Sequence, residues 1–241
     1  MNLRNKTCLV TGAARGIGLA LARALHTAGA RVLLADLDTE AANLAAATLG
    51  DGRAWGLGGD VARAADVERL ADEAERLAGP LDLWINNAGL ARHRRIVDYT
   101  EAEIDLMLAV NLKGTILGSQ AALRRMASRK SGHIVNIVST ASLRGVPTET
   151  VYCAAKWGAR GFTQGLREEA APLGVRVSAV LPGGVDTGFW DGAAPDRNLP
   201  RSEWLRADDV AEAVLALVRL PDHAVPQELV LRAMADRDFS S

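Results

Sequence analysis

The sequence predicts an α/β fold of the doubly wound type, in which helices cover both faces of a seven-stranded parallel sheet. Short apolar runs alternate with longer amphipathic runs along the 241 residues, a pattern typical of repeated strand–helix–strand units. A glycine-rich turn joins the first apolar run to the first amphipathic one. Apolar residues make up 49% of the chain but aromatic residues only 4%, so we expect a core built mainly from Ala, Leu and Val.

The individual elements follow in order from this alternation, because each apolar run ends where turn residues begin. The predicted strands are residues 7–11, 31–36, 53–57, 81–86, 133–139, 175–181 and 228–232. The predicted helices are residues 16–28, 39–49, 63–77, 100–129, 151–171 and 207–219. Repeated units of this kind imply right-handed crossovers and a buried parallel sheet. No linker interrupts the pattern, so residues 1–241 are predicted to form a single domain.

Composition and charge narrow the classes of partner. The net charge is −1 and no long block of one sign occurs, so we expect neither nucleic acid nor an acidic membrane surface as a partner. Cys8 in a predicted strand and Cys153 in a predicted helix are expected to be reduced thiols. No metal site is predicted. The sequence has no run of 18 apolar residues and no leader-like start, which predicts a cytoplasmic protein with no membrane partner.

The first candidate site is the turn after the first strand, where Gly12, Gly16 and Gly18 precede a helix. Glycine lets the backbone approach a ligand without an intervening Cβ, and a helix N-terminus offers unpaired N–H groups and the positive end of its dipole. Such a turn suits a pyrophosphate. The alternative is that these glycines serve only the turn and helix packing.

Two carboxylates that follow strands extend this candidate site. Asp36 ends the second predicted strand, 20 residues beyond Gly16, where a carboxylate can accept hydrogen bonds from the hydroxyls of an adenosine ribose. Asp60, followed by Val61, comes just after the third strand, where its side chain can meet the adenine amino group. The alternatives are a solvated turn for Asp36 and a helix cap for Asp60.

A candidate acid–base pair consists of Tyr152 and Lys156, whose i,i+4 spacing puts both side chains on one helix face. An isolated pair of this kind is more often a helix surface contact. Here it follows a strand that ends at Ser139, at the edge of the sheet where open α/β folds bind ligands. A free tyrosine has a pKa of about 10, so a general base at neutral pH needs a nearby cation such as Lys156.

Five segments, in their order and spacing, resemble the short-chain dehydrogenases/reductases. They are residues 11–18, Asn86-Asn87-Ala88-Gly89, residues 110–114 around Asn111, Tyr152-Cys153-Ala154-Ala155-Lys156 and residues 182–187. Ser139 precedes Tyr152 by 13 residues, the usual spacing in that family. The resemblance covers nearly the whole chain and implies a Rossmann-like fold that binds a nicotinamide cofactor.

The resemblance also implies roles for individual residues. The implied catalytic residues are Asn111, Ser139, Tyr152 and Lys156. The implied cofactor-binding residues are Gly12, Arg15, Gly16, Ile17, Gly18, Asp36, Asp60, Val61, Asn87, Ala88, Gly89, Tyr152, Lys156, Pro182, Gly183, Val185 and Thr187. Ser139 would hold the substrate oxygen, Lys156 would also bind the nicotinamide ribose, and Asn111 would order a chain of water.

The predicted function is hydride transfer between a nicotinamide cofactor and a secondary alcohol or ketone, with Tyr152 as general acid and base. Asp36 favours NAD, because a 2′-phosphate would lie beside its charge. Arg15 favours NADP, which therefore stays possible. The alternative functions are an NADPH-dependent reductase of 3-oxoacyl groups on a carrier protein and a non-catalytic dinucleotide sensor.

Specificity and assembly are predicted from the remaining segments. Residues 188–206 form the predicted substrate loop, whose aromatic residues either face an apolar substrate or anchor the loop. Residues 92–95, Arg-His-Arg-Arg, are expected to form a solvated surface, the alternative being attraction of an anionic substrate. Small residues in the helix 151–171, together with the family's usual interface, predict a homo-dimer or homo-tetramer through this helix and the helix 100–129.

Overall fold

A seven-stranded sheet lies at the centre of the computed structural model, which describes residues 1–190 and 200–236. Its strands are β1 (Thr7–Thr11), β2 (Arg31–Asp36), β3 (Ala54–Gly58), β4 (Leu81–Asn86), β5 (His133–Ile137), β6 (Arg176–Pro182) and, after two short strands outside this sheet, β9 (Glu228–Leu231). The strand order is β3-β2-β1-β4-β5-β6-β9, and every neighbouring pair is parallel. The predicted fold class is confirmed.

Helices cover both faces of this sheet. They are α1 (Gly16–Thr27), α2 (Thr39–Ala47), α3 (Ala64–Ala78), α4 (Glu101–Leu108), α5 (Gly114–Ala127), α6 (Thr150–Ala170) and α7 (Ala207–Arg219). Cys8 and Val10 of β1 pack with α1 and α7, whereas Leu9 packs with α3, α5 and α6 on the opposite face. Because both faces are buried, β1 is a continuous apolar run rather than an alternating one.

The predicted bounds agree with the observed ones to within two residues for the strands of this sheet and for α1, α2, α3, α6 and α7. The helix expected over 100–129 needs correction, because it is not uniform. A π-helical turn, Ala109–Lys113, separates α4 from α5. In this turn Nδ2 of Asn111 donates to the carbonyl oxygen of Met107 at 3.0 Å, the oxygen that accepts the i→i−4 hydrogen bond in an ordinary α-helix.

The predicted substrate loop, 188–206, contains short regular elements. Strand β8 (Leu205–Arg206) lies at its end and pairs in parallel with β7 (Val185–Asp186). Gly188–Trp190 forms a single helical turn after β7. Residues 191–199 of the loop lie outside the described residues. The small sheet therefore brings the two ends of the loop together.

One helical segment in the described part of the chain, Glu101–Ala127, is long and apolar enough by length and composition to cross a membrane. Core helices commonly pass the same test, and 44% of its most apolar window is buried inside the structure. Ala121, Ala122 and Met126 of α5 pack against the sheet and are fully buried. These contacts are those of a core helix.

Candidate active site

A cavity of about 570 Å³ opens at the carboxyl edge of the sheet, where the strand order reverses between β1 and β4. Open α/β sheets bind ligands at this switch point. All of the predicted site residues line the cavity except Gly18 and Asn111. The fold therefore brings together groups that are spread from position 12 to position 187 of the sequence.

The glycine turn forms one end of the cavity. Gly12 and Gly16 have φ angles of +63° and +57°, which favour glycine. A Cβ on Gly18 would lie 2.1 Å from the carbonyl oxygen of Gly12, so Gly18 serves the packing of α1 on the turn rather than the cavity wall. Arg15 at the N-cap of α1 makes no side-chain cap, and the first turn has no acidic residue. The backbone N–H groups of the first turn of α1 can therefore bind an anion.

Asp36 lies beside this turn in a fixed orientation. The backbone N–H of Ala14 donates to its Oδ2 at 3.0 Å, and that of Asp38 donates to its Oδ1 at 3.2 Å. The next side chain, Leu37, is 76% exposed and also lines the cavity. The carboxylate keeps lone pairs for a diol, and the residue that follows it adds no positive charge.

Asp60 does not cap helix α3, which was the alternative predicted for it. Its Oδ1 accepts from the N–H of Ala62 at 2.9 Å, whereas the N-cap of α3 is Arg63. Asp60 thus closes a turn before the helix, and it lines the cavity together with Val61.

The end of β4 is joined to the end of β1 by hydrogen bonds. The backbone N–H groups of Asn87 and Ala88 donate to Oγ1 of Thr11 at 3.0 and 3.1 Å. Nδ2 of Asn87 donates to the carbonyl oxygens of Thr11 and Gly12. These bonds hold the two strands at the switch point in a fixed relation, which keeps the floor of the cavity rigid.

The other end of the cavity carries the acid–base candidates. Lys156 is buried, its Nζ donates to the carbonyl oxygen of Ile137 at 3.1 Å, and Nζ lies 5.6 Å from the centre of the Tyr152 ring. Burial lowers the pKa of Lys156 to about 8. Oγ of Ser139 accepts from the N–H of Ala141 at 3.0 Å. Ser139, Tyr152 and Lys156 all line the cavity.

Asn111 lies behind this wall and is fully buried. Its Nδ2 donates to the carbonyl oxygens of Leu90 and Met107 at 2.8 and 3.0 Å, and the N–H of Leu90 donates to its Oδ1 at 3.2 Å. The side chain therefore connects the π-helical turn to the segment after β4. A Cβ on Gly89 would lie 2.8 Å from Oδ1 of Asn111, so the glycine makes this close approach possible.

Aromatic side chains close the same end of the cavity. Phe189 and Trp190 both line it, and the ring centres of Phe189 and Tyr152 are 6.2 Å apart. Trp190 packs edge-on against Phe189 and Trp204 at 5.2 and 5.6 Å, and its Nε1 donates to the carbonyl oxygen of Val185 at 2.9 Å. Trp190 is thus both part of the cavity wall and an anchor of the loop.

His93 does not belong to a solvated surface, and that expectation is wrong for this residue. Its side chain is only 8% exposed, with Nδ1 3.6 Å from Oε1 of Glu149. The neighbouring Arg94 and Arg95 remain at the surface and pair with Glu103 and Asp98. The burial of His93 comes from contacts with residues far along the chain.

Comparison with known families decides how this site is classified. The model of the short chain dehydrogenase family matches residues 6–198, which includes every segment that lines the cavity. The chain is a member of the short-chain dehydrogenase family. It is therefore an oxidoreductase, and the family acts on CH–OH groups with NAD(P) as cofactor.

Individual relatives of this dehydrogenase support the same assignment. It is 38% identical over 231 residues to an uncharacterized oxidoreductase of Staphylococcus aureus, covering 95% of this chain and 98% of the relative. It is 39% identical to 2-(S)-hydroxypropyl-CoM dehydrogenase 3 of Xanthobacter autotrophicus, covering 90% of each chain.

Solved structures similar to the dehydrogenase contain a bound cofactor. An alcohol dehydrogenase of Thermococcus sibiricus complexed with 5-hydroxy-NADP has a TM-score of 0.87 and 30% identity, covering 96% of this chain and 98% of that one. A metagenomic short-chain oxidoreductase in complex with NADP has a TM-score of 0.84 and 31% identity, covering 97% and 99%.

Several cavity residues of the dehydrogenase were missed by the sequence analysis. They are Leu37, Asp38, Gly59, Leu90, Val110, Ile137 and Val138. Most of them adjoin a predicted site residue at the end of a strand, so extending each motif by a residue or two would have found them. Val110 had no such signal except its position next to Asn111.

Proposed function

We propose that this dehydrogenase oxidises secondary alcohols and reduces the matching ketones, with Tyr152 as the general acid and base. The observation that carries the proposal is the buried ammonium of Lys156, 5.6 Å from the ring of Tyr152 on a cavity wall shared with Ser139. A cation at this distance favours the phenolate over the neutral phenol. Tyr152 can then take the proton of an alcohol whose oxygen is held by the hydroxyl of Ser139.

The residues at the opposite end fit a nicotinamide dinucleotide. The uncapped first turn of α1 suits its pyrophosphate, and the oriented carboxylate of Asp36 suits a ribose diol. When bound, the cofactor supplies the hydride acceptor or donor. Lys156 can bind the nicotinamide ribose as well as stabilise the phenolate, and Asn111 is proposed to order water behind the wall.

Within this function, we propose that NAD is preferred over NADP. A 2′-phosphate beside Asp36 would bring like charges together, and each such pair at about 4 Å costs about 4 kcal/mol before screening. Asp38 also lines the cavity and adds to the repulsion. Arg15 acts in the opposite direction, and the two similar structures hold an NADP ligand. Arg15 can turn into solvent, however, whereas Asp36 is held by two backbone N–H groups.

The proposed substrate class follows from the aromatic end of the cavity. Phe189 and Trp190 offer apolar faces next to Tyr152, which suits a substrate with an apolar substituent on the carbinol carbon. The name of the Xanthobacter relative describes a 2-hydroxypropyl group, and that of the Thermococcus protein an alcohol dehydrogenase. Both names are consistent with a secondary alcohol.

A panel of secondary alcohols and ketones, measured with NAD(H) and NADP(H) by cofactor absorbance, tests this function. We expect turnover of alcohols with apolar substituents and a higher kcat/KM with NAD. Reduction of 3-oxoacyl carrier protein alone, with NADPH, would favour the carrier-protein alternative. Cofactor binding with no turnover of any alcohol or ketone would contradict the proposal and favour a sensor.

We also propose that the enzyme is a homo-oligomer joined through α4, α5 and α6. Leu106 on α4 and Trp157 on α6 are large apolar side chains that are 44% and 49% exposed. Small residues such as Gly161 on α6 leave space for a second helix. Light scattering at micromolar concentration is expected to give a dimer or tetramer, and a monomer would remove this proposal.

A further inference from the structure

Glu149 carries a carboxylate that is buried next to the proposed catalytic residue. It is the N-cap residue of α6, three positions before Tyr152, and is 1% exposed. Taking a carboxylate out of water is costly unless a cation or a proton offsets the charge. Nδ1 of His93, 3.6 Å from Oε1 of Glu149, is in position to offset it, because a protonated imidazole is a cation.

Main-chain hydrogen bonds hold the two segments that carry this pair. The N–H of Arg94 donates to the carbonyl oxygen of Thr148 at 2.9 Å. The hydroxyl of Tyr99 is placed between that oxygen, at 3.2 Å, and the carbonyl oxygen of Arg92. Both neighbours of His93 and the residue before Glu149 are therefore fixed to one another. The contact between the two side chains is a consequence of a rigid junction.

The imidazole of His93 also supports the aromatic wall. Its ring centre lies 5.4 Å from that of Trp190, with an interplanar angle of 36°. The ring centres of Trp190 and Phe189 are 5.2 Å apart, and those of Phe189 and Tyr152 are 6.2 Å apart. Trp190 and Phe189 line the cavity, whereas His93 and Glu149 stand behind them. Trp190 therefore links the pair to the substrate end of the cavity.

We propose that His93 and Glu149 are positioning residues whose contact holds Trp190 against the substrate end of the cavity and thereby sets the preference for apolar substituents. This inference rests on the proposed function, because it requires that the substrate occupies this end. Breaking the contact weakens the support that His93 gives to the Trp190 ring, whose Nε1 still donates to the carbonyl oxygen of Val185. It removes no group from Tyr152, Ser139 or Lys156. Substrate binding then weakens while the chemical step continues.

A double-mutant cycle with His93→Gln, Glu149→Gln and the double variant tests the pair. For a secondary alcohol with a large apolar substituent, each single substitution is expected to raise KM about tenfold, while kcat and the KM for isopropanol change by no more than about twofold. The double variant is expected to resemble the single ones, because all three lack the same interaction. The exposed His223→Gln and Glu212→Gln are matched controls and should leave every value unchanged.

Acrylamide quenching of tryptophan fluorescence tests the same pair without turnover. The contribution of Trp190 is the difference between each protein and its Trp190→Phe version. We expect Trp190 to become more accessible in all three variants of the cycle. If a single variant fails to fold because it removes one partner of a buried contact, the double variant, which removes both, carries the test.

Three results would overturn the inference: additive effects in the cycle, a fall in kcat without a rise in KM, or unchanged quenching of Trp190. Failure of the proposed function is distinguishable from these. A wild-type protein that turns over no alcohol or ketone contradicts the function, while the quenching comparison still decides whether His93 and Glu149 hold Trp190.

Discussion

At its cofactor end the cavity is built from backbone and glycine, whereas at its substrate end it is built from large side chains. Hydrogen bonds to Thr11 and to Asp36 fix the first end within the strand termini. The second end depends on a ring-to-ring path from Trp190 to Tyr152 and on the buried His93 behind it. Cofactor choice and substrate choice can therefore change separately, since they rest on different elements.

The strongest test of the substrate end is Tyr152→Phe, which removes the proposed acid and base and keeps the ring. We expect kcat to fall about 10²–10⁴-fold, the usual contribution of general acid–base catalysis. The cofactor Kd, measured by calorimetry, should stay at the wild-type value because the glycine turn and Asp36 are untouched. A Phe variant with wild-type turnover would exclude Tyr152 from the chemistry.

A second large effect is expected at Lys156. Its buried ammonium serves the proposed chemistry, but burying that charge lowers the stability of the fold. Its pKa is about 8 in the fold and about 10.4 in an unfolded chain. Between these values the unfolded chain holds a proton that the folded chain has released, so the stability contributed by this residue rises with pH. Relative to Lys156→Met, the wild-type free energy of unfolding should increase by about 3 kcal/mol from about pH 8 to pH 10.4.

Urea unfolding of both proteins across this pH range measures the Lys156 effect. Lys113→Met, which changes an exposed lysine, is the matched control for the loss of a lysine side chain. If the difference in free energy of unfolding between the wild type and Lys156→Met is constant with pH, Lys156 titrates as a solvated lysine.

The cofactor end is tested by Asp36→Ala, with an intermediate effect. Removing the carboxylate should shift the ratio of kcat/KM for NAD to that for NADP by about tenfold toward NADP, equivalent to about 1.4 kcal/mol. The substrate KM should not change, because Asp36 lies at the opposite end. Asp105→Ala, an exposed change on α4, is the control. A wild type that already favours NADP would show that Arg15 dominates.

The smallest effect is expected at the aromatic wall itself. Phe189→Leu keeps an apolar side chain but loses the ring next to Tyr152, so the KM for alcohols with apolar substituents should rise about threefold. The ratio of NAD to NADP efficiency should remain that of the wild type. A change in that ratio would mean that the two ends of the cavity are coupled.

The sequence predicts the cofactor end better than the substrate end for a physical reason. The turn from β1 into α1 is a local pattern of glycines at the cofactor end. At the substrate end the one local pattern is the spacing of Tyr152 and Lys156 on one helix. The side chain of Asn111 in the π-helical turn bonds to Leu90, 21 residues away. The imidazole of His93 packs against Trp190, which lies far along the chain. Contacts between distant segments of this kind leave no periodic signal in the sequence.

Hydride transfer from alcohol to cofactor in this cavity can be followed with a secondary alcohol that carries deuterium on its carbinol carbon. After turnover with NAD and the wild-type protein, mass spectrometry of the reduced cofactor is expected to find one deuterium per molecule formed. The Tyr152→Phe protein should form almost none in the same time. Reduced cofactor without deuterium, or no reduced cofactor from any alcohol of the panel, would contradict the assignment of this cavity as an alcohol-oxidising site.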